Sequence, residues 1–358
     1  MGARVPPSTR RVGLNSHSES LRRPDIERLV GALRHRPTDR VPNFEHRIKG
    51  RNIAGVLGRE AGEDSARLAP GDQLELVQRI HQDAVPTDMR WELGFVHRET
   101  SDGAVSYVDG AIKDVAALDG IEPPSLDDLR ERLAHLVRIT SGTSVGVSCG
   151  IGGPLSTAYL AMGLTDFSLK LYDDLAFVER LLDVTTDFCC RAVDTVVEGP
   201  ADVVWIMDDM AFSSGPMMRP EMVRQLWLER IREVIRPALD RGVPVVLHSD
   251  GNLNSLLPTI VEAGFDGLHP NEPCDGAFDI LRTKAEFGQE LCLFGNIDVS
   301  GVLSYGHPDE VREVVRERIE RLSEGGGYVV SSSHSIQDSV PPENFEAMLE
   351  AVLAYGSY

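Results

Sequence analysis

The sequence predicts an α/β fold, a single (β/α)8 barrel of the TIM type with an N-terminal helical extension. Three observations predict it. Short β-branched or apolar runs alternate with segments of helical periodicity. That rhythm calls for parallel strands, because a parallel pair needs a crossover that a helix usually supplies. Eight such runs fit within 358 residues, an ordinary length for a barrel of this kind. A doubly wound open sheet explains the same rhythm, but it gathers only the clusters at its switch point.

The elements follow in order. Residues 1–24 (MGARVPPSTRRVGLNSHSESLRRP) are rich in Arg, Ser and Pro without apolar periodicity, so a disordered tail is expected, with the barrel over 25–358. IERLVGALRHR has helical spacing and breaks at Pro37 and Asp39 before a first strand at Val41 to Phe44. Between Gly50 and Thr140 the pattern is mostly helical. It is interrupted by a weakly marked strand within Ala84 to Trp91 and by a hairpin over Glu99 to Lys113, where TSDGAVSYVDGAIK alternates around Asp-Gly turns. The remaining strands are expected at Ser144 to Val147, Val203 to Met207, Pro244 to Leu247, Gly267 to His269, Leu291 to Phe294 and Tyr328 to Ser331.

Composition excludes several partners. With 56 acidic against 36 basic side chains the net charge is −20, which repels a phosphate backbone and excludes nucleic acid. No window approaches the roughly 18 apolar residues of a membrane span, and the first residues lack the apolar core of a secretory signal. No membrane partner and a cytoplasmic location are therefore expected. The five cysteines are odd in number and widely spaced, so free thiols are expected, with Cys189 and Cys190 packed in a helix.

Each later strand runs directly into a polar cluster, and in a barrel all these ends share one face. In His248-Ser249-Asp250, residues i and i+2 can aim an imidazole and a carboxylate at one point. That pair suits zinc, manganese or iron, with His334 after the last strand as third ligand. The competing readings are a turn at Asp250-Gly251-Asn252 and a metal-free acid/base role. Of Asp208 and Asp209, one faces the barrel mouth while its neighbour caps the following element. Asp209, His269 and Glu272 are the catalytic candidates, and Asp208, Asn296 and Asp298 are candidates for holding substrate. Arg47 and Arg51 follow the first strand beside Glu45 and His46, where they grip carboxylates or form a solvated charged face. Gly150 to Pro154 lacks the Lys-Ser/Thr of a phosphate loop and is assigned to substrate access.

The segments PTDRVP, GPLSTAYLAMGLTDFSLKLYDD, DVVWIMDDMAFSSGPMMRPEMV, VVLHSDGN, GFDGLHPNEP, LCLFGNID and VPPENFEAML, in this order and spacing, resemble the uroporphyrinogen-decarboxylase superfamily over about residues 25–358. The resemblance implies a (β/α)8 barrel and one of two activities: decarboxylation in haem synthesis, or methyl transfer between a cobamide and a thiol or other acceptor. The decarboxylases carry an arginine-rich segment after the first strand and an aspartate in a Ser-Asp turn after the second. Here those regions read NFEHRIKGR and AVPTDMRWE, so Arg47, Arg51 and Asp88 stand nearby without the motif. The methyltransferase branch uses His-x-Cys at the fifth strand and a Cys after the eighth as zinc ligands. Here His248 is kept, while Asp250 and either Ser333 or His334 replace the cysteines, which makes a bound metal harder and more Lewis acidic.

The resemblance therefore implies a metal-dependent, methyltransferase-like enzyme. His248, Asp250 and His334 hold a divalent metal, zinc by expectation, with a corrinoid on a separate protein as co-substrate and a homodimer as the assembly. A metal-free decarboxylase of a tetrapyrrole or small aromatic acid, using Arg47, Arg51 and Asp88, is the alternative. A non-catalytic corrinoid- or tetrapyrrole-binding protein is the third reading. Because His248 sits at a strand end rather than in the core, His248→Ala is expected to abolish activity without changing the far-ultraviolet circular dichroism or the melting temperature. Loss of folding would make the residue structural.

Overall fold

The computed structural model describes residues 23–99 and 105–358. Seven strands, β1 Ala84–Met89, β2 Gly146–Gly152, β3 Val203–Met207, β4 Val245–His248, β5 Gly267–His269, β6 Cys292–Phe294 and β7 Tyr328–Val329, form one sheet. Every neighbouring pair is parallel and spatial order equals chain order, so the sheet curls toward a barrel with all strand ends on one face. No described helix is long and apolar enough to cross a membrane.

The expected first strand is irregular. Pro42 has no N–H to give, and the segment around it meets β7 through Phe44 N to Val330 O at 3.0 Å and Val330 N to Pro42 O at 2.9 Å. Toward β1 the joins are made by side-chain amides instead. Asn43 donates to the Ile80 carbonyl at 3.0 Å, Glu45 N donates to Gln82 Oε1 at 2.7 Å, and Gln82 donates to the Ala84 carbonyl at 2.9 Å. The eighth place in the barrel is thus filled by a segment sewn in rather than paired as a ladder.

A second difference concerns β2, which runs through Gly152 instead of stopping at Val147. The glycine-rich stretch assigned to an access loop is therefore largely strand interior. Glycine reads as loop because it weakens isolated strands, but pairing on both sides, to β1 and β3, holds it extended. The hairpin begins earlier than expected, pairing Phe95–Glu99 with Val105–Gly110, and its turn lies outside the described residues. A small hairpin, Ala211–Phe212 with Gly215–Pro216, occupies what reads in sequence as plain loop. Most of the expected tail also lies outside the described residues. Arg23 is described, and its carbonyl accepts from Arg28 Nη1 at 3.2 Å.

The N-terminal helix Ile26–Leu33 plugs the bottom of the barrel. Asp25 caps it by accepting from Glu27 N at 3.1 Å, and its Leu29, Ala32 and Leu33 pack with Phe44, Trp205, Val246 and Phe294 in the barrel interior. Glycines at strand starts make room for it: a Cβ on Gly146 would lie 2.5 Å from Ile26, and one on Gly267 3.0 Å from Leu33. A buried ion network fixes the plug. Arg28 reaches Asp83 at 2.5 Å and Asp39 at 2.6 Å, and Arg40 lies 3.9 Å from Asp83. Removing the shared carboxylate takes a buried counter-charge from two guanidinium groups, with Arg28 keeping only Asp39, so Asp83→Ala is expected to cost about 3–5 kcal/mol of stability in urea unfolding. A loss under 1 kcal/mol would show that the network does not hold the plug.

Candidate active site

The strand ends enclose a cavity of about 520 Å³. On one wall, Asp209 after β3 and His248 and Asp250 at the end of β4 bring one ligand atom each to within 4.8 Å of the others. His248 Nε2 lies 3.9 Å from Asp209 Oδ1 and 3.9 Å from Asp250 Oδ2. The local fold aims these groups. Gly251 has φ 88°, and a Cβ there would stand 2.5 Å from the Ala211 carbonyl, so the loop turns sharply only with glycine. Asp250 N donates to Asp209 Oδ1 at 3.1 Å, Gly251 N to Glu272 Oε2 at 2.8 Å, and Met210 N to Ser249 Oγ at 3.0 Å.

This donor set fits a divalent cation. Two carboxylates and an imidazole converge, and Asp250 Oδ1 is buried without a hydrogen-bond partner. Among the described residues no cysteine lines the cavity, so the ligands are oxygen and nitrogen, suited to zinc, manganese or iron. His334 stands apart from the expected set. Its Nε2 is 3.6 Å from Asp250 Oδ2, and Gln337 Nε2 lies 3.2 Å from its Nδ1. Asp209 takes the place in the tight group that was expected for His334.

Behind His248 lies His269, with the two Nδ1 atoms 2.7 Å apart and His269 Nε2 3.2 Å from Ser331 Oγ. Burial lowers both imidazoles from their usual range, His269 far below it, so both rings are neutral at physiological pH. His269 has no nitrogen left for acid/base work on substrate.

The opposite wall is basic. Arg47 is paired with Asp88 and lies 3.3 Å from Asp64, while His46 is 3.5 Å from Asp88. Although burial opposes the charge, His46 and Arg47 hold the Asp88 carboxyl well below the usual range, so it stays ionised. Arg90 has only the Met207 sulfur, at 3.7 Å, and the Arg67 guanidinium has no hydrogen-bond or ion-pair partner among the described residues. Glycines of β2 form the floor beneath this wall: a Cβ on Gly152 would lie 3.3 Å from Arg90, and one on Gly150 2.9 Å from Met207 and 3.3 Å from His46.

Several expected site residues are committed elsewhere. Asp208 is fully buried and accepts from Ser156 N at 2.6 Å and Trp227 Nε1 at 2.8 Å; it caps helix Pro154–Met162, from the neighbouring strand's connection, and not the element that follows it as expected. Arg51 is exposed and bonds to Asp338 at the rim. Asn296 accepts from Arg318 Nε at 3.0 Å, and Asp298 caps its own turn through Ser300 N at 2.9 Å. Glu272 supports the Asp250 loop without lining the cavity. Arg90 and Arg67 were missed in sequence. Arg90 carried a faint signal, standing two residues beyond Asp88 at a strand end.

The family model for uroporphyrinogen decarboxylase matches residues 84–355. The chain belongs to the uroporphyrinogen-decarboxylase family. It is 26% identical to the uroporphyrinogen decarboxylase of Hydrogenovibrio crunogenus, over 91% of this chain and 96% of that one. It is also 27% identical to the methylcobamide:CoM methyltransferase MtaA of Methanosarcina barkeri, over 65% of this chain and 67% of that one. Among solved structures, a methyltransferase from Methanosarcina mazei shares the fold with a TM-score of 0.70 at 22% identity, covering 92% of this chain and 98% of that one. Family membership thus spans two chemistries, and the cavity has to discriminate between them.

Glu45, on the cavity wall, titrates unusually. Burial pushes its carboxyl from the usual 4.5 up to about 8, although Ser332 N donates to it at 2.8 Å and the Ser332 hydroxyl also bonds to it. The folded state therefore keeps a proton that the unfolded chain has already released. Its stabilising contribution is complete below pH 4.5 and is lost as pH rises through about 8. Relative to Glu45→Gln, the wild type is expected to lose stability between these limits with a slope approaching about 1.4 kcal/mol per pH unit. Urea titrations at pH 5, 6, 7 and 8 check this, and parallel pH profiles for the two proteins would contradict it.

Proposed function

We propose that this chain is a metal-dependent, methyltransferase-like enzyme that moves a methyl group to or from a corrinoid carried on a separate protein. The convergence of Asp209, His248 and Asp250 on one point of the cavity carries the reading. These three residues would hold the divalent metal, zinc among the candidates, which when bound supplies a Lewis acid for activating the substrate's donor atom. The chain's own groups do the rest. Arg90 and Arg67, which have no carboxylate partner among the described residues, would take an anionic group of the substrate across the cavity from the metal ligands, while the ionised Asp88 holds Arg47 and His46 in place.

The corrinoid co-substrate is proposed on the name of the MtaA relative, which acts on methylcobamide. The decarboxylase reading has one observation behind it, the Arg47 and Asp88 pair beside the cavity. It asks Asp88 to donate a proton, yet that carboxyl is held in the ionised form by His46 and Arg47. Proton donation from this wall would fall to Glu45 instead.

Metal content by plasma mass spectrometry tests the proposal. Near-stoichiometric metal is expected in the wild type and in His334→Ala, and its loss in His248→Ala and in Asp250→Ala. Wild type that stays metal-free after reconstitution with zinc, manganese and iron would sink the proposal and favour decarboxylation. With the metal in place, methyl transfer between methylcobamide and acceptors carrying an oxygen, nitrogen or sulfur donor is the activity to assay, with oxygen and nitrogen acceptors expected to react faster than a thiol.

A further inference from the structure

We infer that Ser249 is a positioning residue: its hydroxyl staples the loop that carries Asp209 to the turn that carries Asp250, and so sets how closely the two carboxylates stand. The inference rests on the proposed metal site, since it concerns how that site is held ready for a cation.

The join between β3 and β4 runs out where the ligands begin. The ladder closes with Asp208 N donating to His248 O at 2.9 Å. Beyond it the chains part. Met210 enters the small hairpin, its carbonyl accepting from Met217 N at 2.9 Å, and Ser249 N turns to β5, donating to His269 O at 3.0 Å. A side chain takes the place of the next rung. Alternation along β4 sends the His248 ring into the barrel and the Ser249 side chain away from it, where Ser249 is fully buried. Its Oγ accepts from Met210 N at 3.0 Å and donates to the Asp250 carbonyl at 3.4 Å. One hydroxyl thus joins the residue after Asp209 to Asp250 itself, using both its acceptor and its donor.

The staple is needed because the two carboxylates repel. Their ligand atoms and that of His248 lie within 4.8 Å of one another, and like charges at that range, with no cation between them, push their loops apart. Asp250 N answers one oxygen of Asp209 at 3.1 Å, and Asn252 N ties the loops again farther out, donating to Phe212 O at 2.9 Å. Ser249 is the inner fastening of the three. It does not line the cavity, so it acts on a cation only through the ligands it holds. Groups that orient metal ligands without touching the metal commonly set its affinity. Alanine at 249 removes both bonds and leaves the buried Met210 N–H without an acceptor. Cysteine keeps the size with a weak acceptor, and threonine keeps the hydroxyl.

The test uses ¹⁵N-labelled full-length protein stripped of metal by chelator, as wild type, Ser249→Ala, Ser249→Cys and Ser249→Thr. Hydrogen exchange at the Met210 amide reads the staple with no metal present, and zinc titration reads its consequence. Faster exchange is expected in Ser249→Ala and Ser249→Cys, with the threonine variant close to wild type. Zinc should bind roughly ten- to hundredfold more weakly to the alanine and cysteine variants and near normally to the threonine one. Circular dichroism checks folding, and the cysteine variant decides the matter if the alanine one does not fold. Unchanged Met210 exchange in a folded alanine or cysteine variant overturns the inference, as does wild-type zinc affinity there. Equal loss of affinity in all three variants overturns it too, because packing rather than the hydroxyl would then be what matters. Wild type that binds no zinc, manganese or iron, while Met210 still loses protection in Ser249→Ala, defeats the metal reading and leaves the staple standing.

Discussion

Trp205 sets the depth of the site. It points from β3 into the barrel, stacks on Phe44 at 4.8 Å and meets Phe294 at 5.1 Å, so the barrel interior is solid just below the strand ends. His46 and His269 rest against the same indole from above, at 5.7 Å and 5.3 Å. Because aromatic packing at this level is dense, polar groups at the next inward positions cannot sink further and must face the cavity. A smaller residue at 205 would open a void beneath both histidines. The layer that makes the barrel stable is therefore also the floor on which the imidazoles are aimed.

The glycines of β2 act from the side. Gly150 and Gly152 leave the space above the strand to Met207, His46 and Arg90, while Gly153 lies against Asp208, where a Cβ would sit 2.2 Å from the carboxylate side chain. One short segment thus does two jobs. It lets cationic groups lean over the cavity, and it lets the helix beginning at Pro154 approach Asp208 closely enough to be capped. The division between Asp208 and Asp209 follows directly. Adjacent residues leave a strand on opposite sides, so the one that caps the helix cannot also reach the cavity.

The barrel was legible in the sequence because parallel strands buried on both faces read as short apolar runs, and β3 through β6 agree with those runs to within a residue or two. Where glycine or proline interrupted the pattern, the reading failed. β2 extends five residues past its expected end because its stability comes from neighbours on both sides, and the Val41 to Phe44 segment is held by Asn43 and Gln82 side chains that no periodicity encodes. Site residues divide on similar lines. His248, Asp250 and Asp209 could be found because a strand end fixes direction locally. Asn296 occupies an equally suitable strand end, but Arg318 from helix Pro308–Leu322 draws its side chain away. Arg90 carried only the faint signal of a strand end, since its place over the cavity depends on the missing side chain of Gly152 one strand away.

Charge across the cavity is asymmetric in a way that constrains the chemistry. On one side the carboxylates Asp209 and Asp250 face a neutral imidazole, and among the described residues no arginine or lysine is paired to either. On the other, the Arg47 charge is answered by Asp88 and Asp64, whereas Arg90 and Arg67 have no carboxylate partner among the described residues. A cation held by the first group and an anion held by the second would neutralise both walls, and a single substrate bound through both ends would be oriented across the cavity by the field itself. Thiolate ligands would deliver two negative charges as well, but softly. Carboxylates would leave more positive charge on a metal held there, which would favour activation of an oxygen or nitrogen donor over a sulfur one.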